Sequence, residues 1–149
     1  MKLKSIIKDI QFQNEYVLVN KNDNIFEVSK ALAYGTKEKP KKKDKKQFSI
    51  LAAYVLDGKK PVGLVTKEDI IEIIVKKENI ISDLKKIKIS EIMTYPFFSL
   101  DVNDEIQDAV NLIMEKNFLT IPVLENGELR GVFTVFDALW LLETEEANL

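Results

Sequence analysis

The 149-residue sequence contains no cysteine and no histidine. The first absence removes disulfides and thiolate chemistry. The second removes the commonest general base and the commonest metal ligand, and the two together exclude a Cys/His zinc site. An excess of one charge is also missing: 22 basic and 24 acidic residues leave a net charge of −2. No whole-molecule field therefore points to nucleic acid or to a membrane surface. No apolar run approaches the length needed to cross a bilayer. The opening Met1-Lys-Leu-Lys-Ser-Ile-Ile-Lys-Asp is broken by charge too early for the apolar centre of a signal peptide. These absences lead us to expect a cytoplasmic protein without metal or membrane partner.

What is present can build a core. The apolar fraction is 46%, with eight Phe, four Tyr and one Trp, which excludes global disorder. The length suits one compact domain or two small interlocked ones.

A short segment occurs twice. Val55-Leu-Asp-Gly-Lys-Lys-Pro-Val-Gly63-Leu-Val-Thr66-Lys-Glu-Asp69 matches Val123-Leu-Glu-Asn-Gly-Glu-Leu-Arg-Gly131-Val-Phe-Thr134-Val-Phe-Asp137, every matched pair lying 68 positions apart. Upstream, the stretch from Val17 to Val28 matches the stretch from Phe98 to Ala109 at an offset of 81. The difference places 13 extra residues in copy one, and a stretch of different composition, residues 36–47, accounts for them. Within it, Lys37, Lys39, Lys41, Lys42, Lys43, Lys45 and Lys46 outweigh Glu38 and Asp44. The insertion is thus +5 and the rest of the chain −7. A solvated loop is the plain reading, and contact with an anion or nucleic acid is the alternative.

Each copy reads as βαββα. A β-rich run (residues 16–19 and 97–100) precedes a helix-period stretch capped by Asp23 or Asp104. Two strands follow, joined through Asp57-Gly58 or Asn126-Gly127. A closing helix begins after Thr66 or Thr134, with Asp69 or Asp137 three residues on, the capping-box position with Asp in place of Glu. Ser5 to Ile10 and Ser90 to Met93 are matching lead-in turns, and residues 76–88 form a connector with apolar residues that pack. Phe12, Phe26, Met93, Met114, Phe118, Phe133 and Trp140 fall at core spacings, with Trp140 and Leu141 expected at a dimer face.

In order, Ser90-Glu-Ile-Met-Thr-Tyr-Pro96, Asp104-Glu-Ile, Ala109, Ile121-Pro-Val123 and Gly131-Val-Phe-Thr134-Val-Phe-Asp137 resemble a CBS (cystathionine β-synthase) domain. Copy one keeps Gly63-Leu-Val-Thr66-Lys-Glu-Asp69 but has Tyr54 where copy two has Pro122. The whole chain is therefore similar to a stand-alone CBS pair, or Bateman module. The resemblance implies an α/β (α+β) fold of two repeats, 1–78 and 79–149, packed about a pseudo-two-fold axis. It also implies clefts that bind AMP, ADP, ATP or S-adenosylmethionine, a homodimer, and regulation of a partner protein without catalysis.

The residues suit such a ligand. A helix start offers unpaired N–H groups and partial positive charge. Thr66 or Thr134 can donate to a phosphate oxygen, and Asp69 or Asp137 can accept from two ribose hydroxyls. The resemblance puts Pro96, Phe97, Ile121 and Pro122 near the base in copy two, and Val17, Ala53 and Tyr54 in copy one. Lys60 and Lys67 are phosphate candidates for the first site and Arg130 for the second. Val135 and Phe136 make the phosphate end of copy two apolar, which suits adenosine or a ligand with few phosphates. An ordinary capped helix would use the same Thr and Asp. Three functional readings follow: a nucleotide-sensing module that signals to a partner, a ligand-free dimerisation scaffold, and a nucleic-acid contact through the lysines. An enzyme without His or Cys would need paired carboxylates in a pocket, which the sequence does not suggest.

Overall fold

The computed structural model describes residues 1–10, 16–35, 50–76 and 80–147. Phe12 and the lysine-rich insertion lie outside them. A 3-10 turn (Leu3–Ile6) runs into α1 (Ile7–Ile10). Copy one follows as β1 (Tyr16–Asn20), α2 (Ile25–Tyr34), β2 (Ala52–Asp57), β3 (Lys60–Val65) and α3 (Lys67–Lys76). The connector contains α4 (Ile80–Lys86) and a 3-10 turn (Ile89–Glu91). Copy two is β4 (Leu100–Asp101), α5 (Ile106–Lys116), β5 (Thr120–Glu125), β6 (Glu128–Thr134) and α6 (Val135–Ala147).

The two sheets repeat each other in detail. Each has three strands, the first parallel to the second and the second antiparallel to the third. Val55 faces Gly63 and Val123 faces Gly131, and both ladders slip by one residue immediately after that pair. The expected hairpins form, but the first turns one residue later than expected. Asp57 ends β2 and pairs with Lys60, so the turn residues are Gly58 and Lys59. Positive φ at Gly58 alone is the sign pattern of a type II′ turn, whereas Asn126 and Gly127 are both positive, as type I′ requires.

The helix caps also shift by one position. Asn24, not Asp23, caps α2, its side chain accepting from the Glu27 N–H at 2.9 Å. Glu105, not Asp104, occupies the cap position of α5, and its N–H donates to Asp108 at 3.3 Å. The two aspartates brace the preceding turn instead. Asp23 accepts from the Asn20 N–H at 2.9 Å and Asp104 from the Asp101 N–H at 2.8 Å, partners again 81 positions apart. The upstream offset thus reappears as a repeated hydrogen-bond network.

Packing cuts across the duplication. One compact unit is Asn14–Phe97, and the other joins Met1–Gln13 to Phe98–Leu149. The lead-in turns are the reason. The Leu3 N–H donates to Asp104 O at 2.9 Å and the Ile106 N–H to Met1 O at 2.8 Å. In the other unit the Ile89 N–H donates to Asp23 O at 2.7 Å and the Ile25 N–H to Ile87 O at 3.0 Å. The segment that precedes one copy in sequence therefore completes the unit built around the other. Leu3, Ile6, Ile7 and Ile10 are buried with Val102, Ala109, Val123 and Phe133. Ile89 is buried with Val19, Ile25, Val28, Val55 and Val65, and Met93 packs against that cluster.

Two glycines make room for these turns. A Cβ on Gly63 would come within 2.9 Å of Met93 Cβ, and one on Gly131 within 3.0 Å of Ile10 Cγ1. The connector packs as expected through Leu84, which is buried, and Ile87, which lies against the same core. Phe26, Met93 and Phe133 take core or core-edge positions. Met114 and Trp140 do not, being 73% and 42% exposed. Leu141 packs on the core of its own unit.

Candidate functional site

The two Thr-x-x-Asp segments form the same reciprocal box. In copy one the Thr66 N–H donates to Asp69 Oδ2 at 2.9 Å and the Asp69 N–H to Thr66 Oγ1 at 3.3 Å. In copy two the Thr134 N–H donates to Asp137 Oδ2 at 2.7 Å and the Asp137 N–H to Thr134 Oγ1 at 3.3 Å. A carboxylate has about four lone-pair sites on two oxygens, so capping and a ribose contact are compatible uses of one Asp. The register explains the position of each box. β3 and β6 each end next to the middle strand, with Ala53 opposite Val65 and Thr120 opposite Thr134. The Val135 N–H then donates to Leu119 O at 3.0 Å, which holds the start of α6 against the start of β5.

The surroundings of the boxes differ. Thr66 and Asp69 are half-buried, and Lys67 and Glu68 between them are exposed. Thr134 and Asp137 are the only buried polar residues among those described. Val135 is half-buried and Phe136 is 45% exposed.

The other expected site residues divide by face. Val17 and Ala53 are paired across β1 and β2 and buried in the core of their unit, so their side chains serve packing. Tyr54, one residue on, points to the opposite face. It is fully buried, edge-on to Tyr16 at 6.3 Å and to Phe97 at 6.4 Å. The structure thus brings Phe97 to Tyr54, in the unit of copy one, beside the exposed Pro96. Ile121 and Pro122 are buried on β5.

Lys67 sits at the first position of α3, next to Thr66. Lys60 and Arg130 are not brought to the boxes. Each lies near the hairpin end of its strand, several residues from Thr66 or Thr134 at roughly 3.3 Å per residue. Arg130 is paired there with Glu125. Among the described residues no group of three or more Asp or Glu side chains is placed to hold a metal ion, and no helix is long and apolar enough to cross a membrane.

A sheet of three strands, a capped helix after its last strand, and a second copy of both define a duplicated βαββα fold. The CBS domain model matches the chain twice, over residues 7–76 and 89–143, and the chain belongs to the CBS domain family. Solved structures share the fold. A hypothetical conserved protein from Geobacillus kaustophilus has a TM-score of 0.72 at 21% identity, with 97% of this chain and 98% of that one covered. A CBS protein solved in complex with AMP has a TM-score of 0.71 at 16% identity, with the same coverage. A CBS domain pair solved with 5′-methylthioadenosine and S-adenosylmethionine has a TM-score of 0.66 at 20% identity, again with 97% and 98% covered. Among curated proteins, an uncharacterized protein of Methanopyrus kandleri is 26% identical over 80 residues. That match spans 53% of this chain and 39% of the relative's length.

Proposed function

We propose that this chain is a regulatory module that binds an adenosine-type small molecule at its Thr-x-x-Asp helix starts and signals the binding to another protein. The observation that carries this reading is the repeated box, in which each Asp carboxylate accepts from the Thr N–H and each Asp N–H donates to the Thr hydroxyl at the first turn of a helix. Such a carboxylate is pre-oriented for ribose hydroxyls, and the adjoining helix start favours an anion. Two further observations support it: family membership, and solved CBS proteins that hold AMP, 5′-methylthioadenosine or S-adenosylmethionine. CBS domains are generally regulatory.

Regulation requires that the ligand bind one conformation more tightly than another and shift the population accordingly. The chain acts as a homodimer in this reading. Leu139 and Leu142 on α6, at 59% and 65% exposed, supply apolar surface for a second copy.

Thermal unfolding with AMP, ADP, ATP, S-adenosylmethionine and, as control, UMP tests the proposal. A ligand at about one hundred times its Kd stabilises by about 2.7 kcal/mol. An adenosine compound should raise the transition temperature where UMP does not, and Asp69→Ala with Asp137→Ala should abolish the increment. Unchanged transitions with every adenosine compound would reject the sensor and leave a scaffold.

A further inference from the structure

A hollow of about 310 Å³ is lined by Lys4, Ile7, Lys8, Val102, Glu125 and Arg130, all in one compact unit. It lies at the hairpin end of the copy-two sheet. Arg130 is four residues before Thr134 along β6, or roughly 13 Å at about 3.3 Å per residue. The hollow is therefore separate from the helix-start box. Ile7 and Val102 are buried, Lys4 and Lys8 are exposed, and Glu125 and Arg130 are half-exposed.

The charges of the lining do not cancel: three cations and one carboxylate give it +2. Arg130 is paired with Glu125. A guanidinium has five N–H donors, so this pairing holds the group in place and leaves donors over. Among the described residues Lys4 and Lys8 stand in no ion pair. They are four positions apart along the lead-in, where like charges repel each other. Asp101 and Asp104, which flank Val102, lie outside the lining and accept N–H groups of their own turn.

The duplication supplies a comparison. The Lys4 N–H donates to Val102 O at 2.8 Å, and in the other unit the Ser90 N–H donates to Lys21 O at 3.4 Å. Ser90 and Lys21 thus hold the places of Lys4 and Val102, and the 68-residue offset makes Asp57 and Val62 the counterparts of Glu125 and Arg130. Copy one has one cation there, Lys21, paired with one carboxylate, Asp57, at 3.0 Å. The shared fold therefore does not require the surplus of positive charge in copy two. A compact anion with more than one charge would relieve the repulsion between Lys4 and Lys8 and use the spare Arg130 donors. The volume is at the small end of ligand pockets, which span about 300–1,000 Å³.

We propose that Lys4, Lys8 and Arg130 form a binding site for a linear di- or triphosphate group, which ties the exchanged lead-in to the β5–β6 hairpin. The inference does not rest on the adenosine reading, and its probes contain no adenine.

The full chain is titrated calorimetrically at low salt with inorganic triphosphate and with UTP. Binding at one site should weaken as salt is added. Lys4→Gln, Lys8→Gln and Arg130→Gln should each weaken it about fivefold. The insertion lysines could also collect a polyanion, so a full chain carrying Lys41→Gln, Lys42→Gln and Lys43→Gln serves as the control and should keep its affinity. Saturating triphosphate should slow hydrogen exchange at the Leu3 and Lys4 amides, which bond to Asp104 and Val102. Tighter binding of UTP than of triphosphate would assign the site to the tail of an organic ligand, and equal or weaker binding to the inorganic ion. No binding of either probe would overturn the inference. So would affinity that survives all three single substitutions, or that disappears in the insertion control. None of these results touches the thermal shift expected with adenosine compounds.

Discussion

Asp69 and Asp137 make the same hydrogen bonds at different depths, so equal substitutions should cost unequal amounts. Asp69→Ala removes a half-buried cap, worth about 1 kcal/mol. Asp137→Ala should cost about 2 kcal/mol, because it also strands the buried Thr134 N–H. Urea denaturation of the two variants measures the difference, and equal losses would contradict the contrast in burial. The glycines behave comparably. Gly63→Ala drives a methyl group into Met93 and should destabilise by about 1–3 kcal/mol, more than Gly131→Ala, whose Cβ meets Ile10 at 3.0 Å. Adding Met93→Ala to Gly63→Ala should relieve part of that strain. On α3, Lys76 hydrogen-bonds Glu72 and adds its charge, holding the Glu72 carboxyl below its ordinary pKa. The folded-state value is depressed, so this pair contributes above the ordinary glutamate pKa and is lost as pH falls through the lowered value. An NMR titration should place the Glu72 midpoint below the usual glutamate range, and Lys76→Met should return it there.

The exchanged lead-in makes a prediction about elements. Residues 1–10 precede copy one but bury Leu3 and Ile10 in the unit of copy two. Removing them exposes the core around Val102, Ala109 and Phe133 and leaves the Ile106 N–H without its partner. Hydrogen exchange on the truncated chain should accelerate in β5, β6 and α5, while β1 and α2 keep most of their protection. Faster exchange confined to copy one would show that the lead-in serves its sequence neighbour instead. A single Leu3→Ala change should act in the same place, at a cost of about 2–4 kcal/mol.

For the whole molecule, the exposed surface of α6 divides in two. Phe136 and Trp140 line a pocket with Asp9 and Asp137, whereas Leu139 and Leu142 form a second exposed apolar face. The homodimer proposal assigns that second face to a partner copy. Leu139→Glu should then convert a dimer to a monomer in analytical ultracentrifugation, without changing the thermal shift produced by a ligand at copy one. A mass unaffected by Leu139→Glu would move the interface elsewhere or remove it.

Local chemistry was enough to read the duplication, the order of elements and both helix-start boxes. Turn dipeptides, hydrophobic period and a Thr three residues before an Asp act within a few residues, where sequence is close to structure. Some of its errors were also local: the caps at Asn24 and Glu105 and the Gly58-Lys59 turn each lie one residue from the expected place, because Asp23 and Asp104 accept from the Asn20 and Asp101 N–H groups of the preceding turn and Asp57 stays in the ladder opposite Lys60. Three features required the folded chain. The lead-ins exchange units because burial rewards the best apolar partner regardless of chain order. Val17 and Ala53 face the core while Tyr54 faces away, a consequence of strand register. Asp9 reaches Asp137 and Trp140 across more than a hundred residues, and no spacing rule along the chain encodes that approach.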